Sequence, residues 1–386
     1  MRRRRALRLA AGAPLALAGS WHSACGGPPR TPAAPDGLDP GRAPTGPLDQ
    51  PVVVPKVNGA INVHPLRCLG CSALDDTIDP SLVALQLSAV YELGFDGIRI
   101  TAPLGDLHSL LAAIPYVRAA RALGIDALVL VSDFSGLALA HALFDPNRRA
   151  AILRLYAQLF AARQLPLAPE LGGLGPQGTG RIAFQILNEP VDFVGLPPAV
   201  YVQQILAPCF AELRAIDDGI IVVAAAETGN LAGPARMRAM LEAGAERVCD
   251  RIAYHVYNRE AVSMLPGDVR RVVWVTESGV SGTARHLAWV REVFPEILAH
   301  VADATRIFYF DLFDLDPGGY RVLDIRLEPT GYRAAVESTA LHGYWSARVA
   351  ESAGGRPLVP FASLVPDVRA YFPTDADAEA VEAAPI

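Results

Sequence analysis

Two glutamates stand out by their place in the chain. Glu189 closes the apolar run of Ile186-Leu187-Asn188-Glu189-Pro190, and Glu277 closes that of Val273-Trp274-Val275-Thr276-Glu277-Ser278-Gly279. Two carboxyls brought to about 5–5.5 Å from each other can flank a glycosidic bond and open it with retention, one protonating the leaving oxygen while the other attacks the anomeric carbon. Other polar residues end apolar runs in the same way: Asn62 and His64, Arg99, Asp133, Asn188, Glu227, His255 and Tyr257, and the stretch Phe308-Tyr309-Phe310-Asp311. No His-x-His pair follows the first run, and the histidines are scattered, which weighs against a metal-dependent hydrolase.

Positioning such residues requires a scaffold that brings many strand ends together. From Val57 onward, short β-like runs alternate with amphipathic runs, the order of a parallel sheet with crossover helices. The strand candidates are Gly59–Val63, Gly97–Thr101, Ala127–Val131, Ile182–Leu187, Ile220–Ala224, Arg251–His255, Val272–Thr276 and Arg306–Phe310. Most are continuous apolar runs, as in strands enclosed on both faces. Helices are expected at Pro80–Leu93, Leu107–Leu123, Pro146–Arg163, Pro198–Ile216, Pro234–Ala243 and Ala284–His300. A short, weak one follows at Arg259–Gly267, and a last one within Tyr332–Arg348. Eight strand-helix repeats favour an α/β fold of the (β/α)8 TIM-barrel type, one catalytic domain over residues 56–350. No glycine-rich dinucleotide fingerprint follows the first strand. In such a barrel the carboxyl ends of the strands carry the chemistry, where Glu189 and Glu277 would face each other across the mouth.

The two glutamate segments resemble the catalytic strands of the clan of retaining glycoside hydrolases that includes the family-five cellulases and many β-mannanases, β-glucosidases and β-xylosidases. Asn188-Glu189-Pro190 is similar to the clan's acid/base motif, and the segment ending in Glu277 to its nucleophile strand. The resemblance covers residues 57 to about 345. It implies that Arg99 supports the nucleophile, that His255 and Tyr257 are the His-x-Tyr of strand six, and that His64 contacts the sugar. On this reading Glu277 must be ionised, which a guanidinium at Arg99 and a phenol at Tyr257 would favour. Glu189 must begin with its proton and later act as base toward water, while Asn188 offers its amide to the neighbouring sugar hydroxyl. The clan's usual strand-eight tryptophan is absent, and Tyr309 or a neighbouring phenylalanine is expected to take its place against the substrate. Trp274 reads as packing, and Asp133 and Glu227 as supporting or loop residues.

The remaining segments concern export and stability. Residues 1–25 read as a signal peptide, with Arg2 to Arg5 before an apolar run too short to span a bilayer. Ser23-Ala24-Cys25-Gly26-Gly27 resembles a lipobox, so the chain is expected to be secreted or anchored to the bacterial envelope by lipid at Cys25. Residues 26–55 carry nine prolines and form an extended linker. Cys68 and Cys71 read as a local disulfide, and Cys209 and Cys249 as buried thiols. Residues 351–386 form a tail that wraps or frays. A net charge of −6, falling to −11 without the five arginines of residues 1–24, argues against a nucleic-acid partner. An oligosaccharide or polysaccharide is the expected partner, and no cofactor is implied. Transglycosylation with the same glutamates and non-hydrolytic carbohydrate binding on a barrel scaffold are the alternatives. With aromatics at only 7%, a short or decorated glycan is at least as plausible as crystalline cellulose.

Overall fold

The computed structural model describes residues 57–65, 78–132, 137–161, 180–301, 303–312, 322–327, 334–354 and 356–384. The leader, the linker, Cys25, the Cys68/Cys71 pair and Asp133 lie outside these described residues. Eight parallel strands close into a barrel in chain order. They are β1 Val57–Val63, β2 Phe95–Pro103, β3 Asp126–Ser132, β4 Ile182–Ile186, β5 Ile221–Ala224, β6 Arg251–Val256, β7 Val272–Ser278 and β8 Ala304–Tyr309. The ring is sealed where Ala60 and Ile61 of β1 pair with Phe308 and Tyr309 of β8. Every strand expected from the sequence is present, so the TIM-barrel reading holds.

The surrounding helices are α1 Pro80–Glu92, α2 Leu107–Ala122, α3 Leu137–Phe144, α4 Pro146–Phe160, a composite α5 over residues 198–216, α6 Gly233–Glu242, α7 Arg259–Val262 and α8 Thr283–His300. Their starts are chemically marked. Asp79, Asp106 and Asp145 accept hydrogen bonds from first-turn N–H groups, and proline occupies the first turn of α1 and α4. The α5 segment runs as Pro198–Val200, a π-helical stretch Tyr201–Leu206, and Ala207–Ile216. Pro208 would clash with the carbonyl four residues before it in a regular helix, and the wider turn relieves that clash.

One expected element is corrected. The last helix was expected within Tyr332–Arg348, but Ala334–Ser338 is a strand, β10, paired antiparallel with β9 Leu323–Leu327. The helix, α9, spans Ala340–Ala353, starting after Thr339, whose hydroxyl accepts from the His342 N–H, and ending at Gly354 in the left-handed region. Beyond it come α10 Phe361–Leu364, a 3-10 turn at Val368–Tyr371, and α11 Asp375–Glu382. These pack back onto the barrel's helices: Phe361 lies against Tyr91, and Asp377 takes two hydrogen bonds from Arg118 of α2, at 2.8 and 3.0 Å.

The core has two shells. Ala60, Leu128, Ala183, Val223, Ala253, Trp274 and Phe308 form one cluster inside the barrel, and a larger cluster lies between sheet and helices. The inner alanines leave room for Trp274 against Phe308, ring centres 5.9 Å apart, so Trp274 is packing, as expected. Arg306 and Arg251 cover Trp274 at 5.2 and 5.8 Å and close the floor, and Arg306 pairs with Asp126 at 2.9 Å. Gly97 suits that spot, since a Cβ would sit 3.1 Å from both Ala60 Cβ and the Arg306 guanidinium, and one of them would have to give way by a few tenths of an ångström.

Candidate active site

Strict alternation along β7 would send Trp274 and Thr276 to one face and Val275 and Glu277 to the other. The register breaks that rule. Tyr254 pairs with Val275 but His255 pairs with Glu277, so β7 holds one extra residue there, and the same slip occurs against β8. This bulge turns Glu277 into the mouth and sends Ser278 outward, where its hydroxyl accepts from the Trp289 indole of α8 at 3.0 Å. A different device acts after β4. Leu187 and Glu189 adopt positive φ angles of 65° and 43°, which bury Leu187 in the outer shell and bring Asn188 and Glu189 over the barrel.

Both glutamates are 7% exposed. One oxygen from each, together with a ring nitrogen of His255, all lie within 4.8 Å of one another. His255 bridges the pair: Nδ1 is 2.6 Å from Glu189 Oε1 and Nε2 is 3.5 Å from Glu277 Oε1. Glu277 also meets Arg99 Nη1 at 2.7 Å through Oε1, and its Oε2 accepts from the Tyr257 hydroxyl at 2.6 Å. The Arg99 guanidinium is held from three further sides, donating to Gln185 Oε1 at 3.2 Å, Asn62 Oδ1 at 2.9 Å and Asn188 Oδ1 at 3.0 Å. Asn62 in turn donates to the carbonyls of Thr276 and Tyr309, fastening β1 to β7 and β8.

The electrostatics separate the two ends of this network. Burial would raise the Glu277 pKa, but the nearby His255 and Arg99, the Tyr257 hydrogen bond and His64 outweigh it, leaving it below the usual carboxylate value. Glu277 is thus ionised at neutral pH. Burial, with the neighbouring Glu277 charge second, pushes Tyr257 well above the usual phenol value, so it stays a donor. Glu189, His255 and Glu277 are spaced as three metal ligands could be. The Arg99 guanidinium already meets the Glu277 carboxylate, however, and supplies the positive charge a cation would bring.

Seven of the eight residues singled out from the sequence meet at the mouth: Glu189, Glu277, Asn188, Arg99, His255 and Tyr257 in the network above, and His64 at its edge. His64 is 3.2 Å from Asp311 Oδ2, with its side chain 42% exposed. Asn188 directs its amide oxygen to Arg99 and Gln185, which leaves the NH2 end as the donor for a substrate hydroxyl. The eighth, Tyr309, is a correction. It is fully buried in the outer shell, its ring 6.1 Å from His286 and 6.4 Å from Phe294, and does not reach the mouth. Because Phe308 points into the barrel, alternation turns Tyr309 out and Phe310 back in. Phe310 sets its ring edgewise to His64 at 5.6 Å and to Tyr257 at 5.9 Å. It is the aromatic side chain that β8 lends to the site. Asn62 stood among the strand-end residues without a role, and Gln185 was not singled out; both are buried polar residues inside apolar strands, the signal that could have assigned them.

No protein-family model matches the sequence, and no curated protein matches it. Among solved structures, the chain is similar to the catalytic domain of GH30 xylanase C from Talaromyces cellulolyticus, at 12% identity and a TM-score of 0.47 over 76% of each chain. It is similar to the hyperthermostable endo-1,4-β-D-mannanase of Thermotoga petrophila, at 12% identity and a TM-score of 0.47, over 77% of this chain and 99% of that one. A β-glucuronidase from an uncultured Clostridium matches at 10% identity and a TM-score of 0.49, over 77% of this chain and 50% of that one. At such identities the likeness is one of backbone.

Proposed function

We propose that the chain is a retaining glycoside hydrolase acting on a β-glycosidic bond, with Glu277 as nucleophile and Glu189 as acid/base. The observation that carries this reading is the pair of buried glutamates at the ends of β4 and β7, oxygens within 4.8 Å, of which only Glu277 has a guanidinium and a phenol hydroxyl on its carboxylate. That asymmetry suits double displacement. An ionised Glu277 attacks the anomeric carbon while Glu189 gives its proton to the leaving oxygen, forming a glycosyl ester and a free alcohol. Water then attacks the anomeric carbon as Glu189 takes the water's proton, the bond from that carbon to the Glu277 oxygen breaks to restore the carboxylate, and the sugar leaves with its original configuration.

His255, between the carboxyls, is placed to pass on the change in charge at one to the other. The Asn188 amide meets the hydroxyl beside the reacting carbon, and Phe310 with His64 offers a surface for the ring. A carbohydrate is therefore the partner we assign. The export reading belongs with this function: a leader before Cys25, cleaved or lipidated there, would carry the hydrolase to glycans outside the cytoplasm, and labelling with a palmitate analogue that persists in Cys25→Ala would exclude the lipid.

A panel of aryl β-glycosides and activated 2-fluoro glycosides tests the chemistry. The expected result is turnover of at least one aryl glycoside and a stable adduct on the Glu277 peptide by mass spectrometry. Hydrolysis that survives intact in both Glu189→Gln and Glu277→Gln would refute the assignment.

A further inference from the structure

Glu227, three residues past the end of β5, is a buried carboxyl that the mechanism above leaves without a task. It is 1% exposed. Its Oε1 accepts a hydrogen bond from the Val191 N–H at 3.0 Å, and its Oε2 is buried with no hydrogen-bond partner among the described residues. The residue before it in the chain makes a parallel contact: the Ala226 carbonyl accepts from the Glu189 N–H at 3.0 Å. Two consecutive residues of the β5 end therefore grip two alternate peptides of the β4 end, one through main chain and one through side chain.

The segment they grip is strained. Leu187 and Glu189 have φ angles of 65° and 43°, values that side chains with a Cβ adopt at a cost and keep only when their surroundings enforce them. The Glu189 carboxyl must stay 2.6 Å from His255 and near Glu277, so a small rotation of this peptide pair would carry the proton donor away from the leaving oxygen. Pro190 contributes no N–H, so Val191 is the first residue after Glu189 whose amide can be fastened.

We propose that Glu227 is a positioning residue for Glu189: its carboxyl, in the neutral form, clasps the Val191 amide and holds the acid/base at its working angle. The inference rests on Glu189 serving as the acid/base. The neutral form follows from the surroundings. An ionised Glu227 would bury a charge with one oxygen unpaired among the described residues, and burial, only partly offset by the Val191 bond, pushes its pKa up to about 8. Tyr201, a titratable neighbour that feels it, is fixed between the Ile186 carbonyl and the Ala225 N–H, and from α6 the Met237 sulphur accepts the Glu227 N–H.

Glu227→Leu removes the acceptor, and Glu227→Gln keeps an oxygen of the same reach. The two variants are compared with the native chain on glycosides of the accepted sugar carrying either a poor, alkyl-like leaving group or 2,4-dinitrophenolate, which leaves without a proton. Glu227→Leu should lose on the order of 10- to 100-fold in kcat/KM on the poor leaving group and less than about 3-fold on the dinitrophenyl substrate, with Glu227→Gln within about 3-fold on both. In 15N-histidine spectra the His255 ring signal should move in Glu227→Leu and stay in Glu227→Gln. Equal losses on both substrates, no loss, a Gln variant as impaired as Leu, or an unmoved His255 signal in the Leu variant would each overturn the proposal. Should the native chain turn over no glycoside, the hydrolase reading fails, and the His255 signal alone still decides whether Glu227 positions Glu189. Glu227→Met, also lacking an acceptor, carries the same comparison if the Leu variant does not fold.

Discussion

Replacing Tyr257 with phenylalanine removes one hydroxyl and leaves the ring, which packs 5.9 Å from Phe310 and 6.4 Å from His255. The hydroxyl donates to Glu277 Oε2 at 2.6 Å in a site where Glu277 is 7% exposed. A buried hydrogen bond to a charged group contributes about 1.5–3 kcal/mol. One pKa unit corresponds to about 1.36 kcal/mol, so losing the bond should raise the Glu277 pKa by roughly one to two units. The sign follows from Glu277 acting as an anion. Its pKa lies below the usual carboxylate value, so activity is present above that value and lost as pH falls through it. Raising the pKa starts the loss at higher pH. The assay is kcat/KM against pH on an aryl β-glycoside, whose acid limb reports the free enzyme's nucleophile. The limb should move up by about one to two pH units in Tyr257→Phe. A limb shifted by less than about 0.3 unit would refute the idea that the phenol holds the charge, because Arg99 and His255 would then suffice.

Other expectations concern the same framework. Arg99→Leu leaves Glu277 buried with its closest cation gone, and should lower unfolding free energy by about 3–5 kcal/mol in urea titrations; a loss below about 1 kcal/mol would contradict the buried pairing. Phe310→Ala removes the aromatic surface at the mouth and should raise KM several-fold, in line with about 0.5–1.5 kcal/mol for an aromatic contact, with kcat changing less; an unchanged KM would remove Phe310 from the substrate site. Asp377 lies below the usual carboxylate pKa: burial works to raise it, but Arg118 and Thr374 prevail, so its stabilisation is present at neutral pH and lost as pH falls through its lowered value. Asp377→Asn should therefore expose residues 361–382 to proteolysis at pH 7, as the native chain would be exposed only in acid. Cys209 and Cys249 should resist alkylation until the chain unfolds, since both are buried and burial raises their pKa, that of Cys249 to about 12.

The barrel was legible because its strands are continuous apolar runs with proline- or aspartate-marked helices between them, a local signal that needs no tertiary information. The β9–β10 hairpin was not, since Ala334-Ala335-Val336-Glu337-Ser338 is compatible with a helix until its partner strand is known. At the site, polar residues closing apolar runs marked Glu189, Glu277, His255 and Tyr257, while Arg99, which lies inside β2, was picked out with the help of the clan resemblance. Tyr309 failed for want of counting from a known inward residue, which Phe308 becomes only once the barrel is closed. Glu227 fell on the list of strand ends, but its grip on Val191 depends on how β4 leaves the barrel, and nothing local encodes that path.

The bulge in β7 makes the place of Glu277 depend on the number of residues before it as well as on their identity. Substitution at Thr276 leaves that number intact. Deleting Thr276 would remove the bulge, and plain alternation from an outward Val275 would still turn Glu277 inward; ironing out the bulge with Thr276 kept would instead present the threonine to the mouth and turn the carboxylate toward α8, away from Arg99. What holds the carboxylate against Arg99 is thus the pairing of Glu277 with His255, and a slip of that pairing by one residue, not a change of side chain at Thr276, is what would carry it off the site.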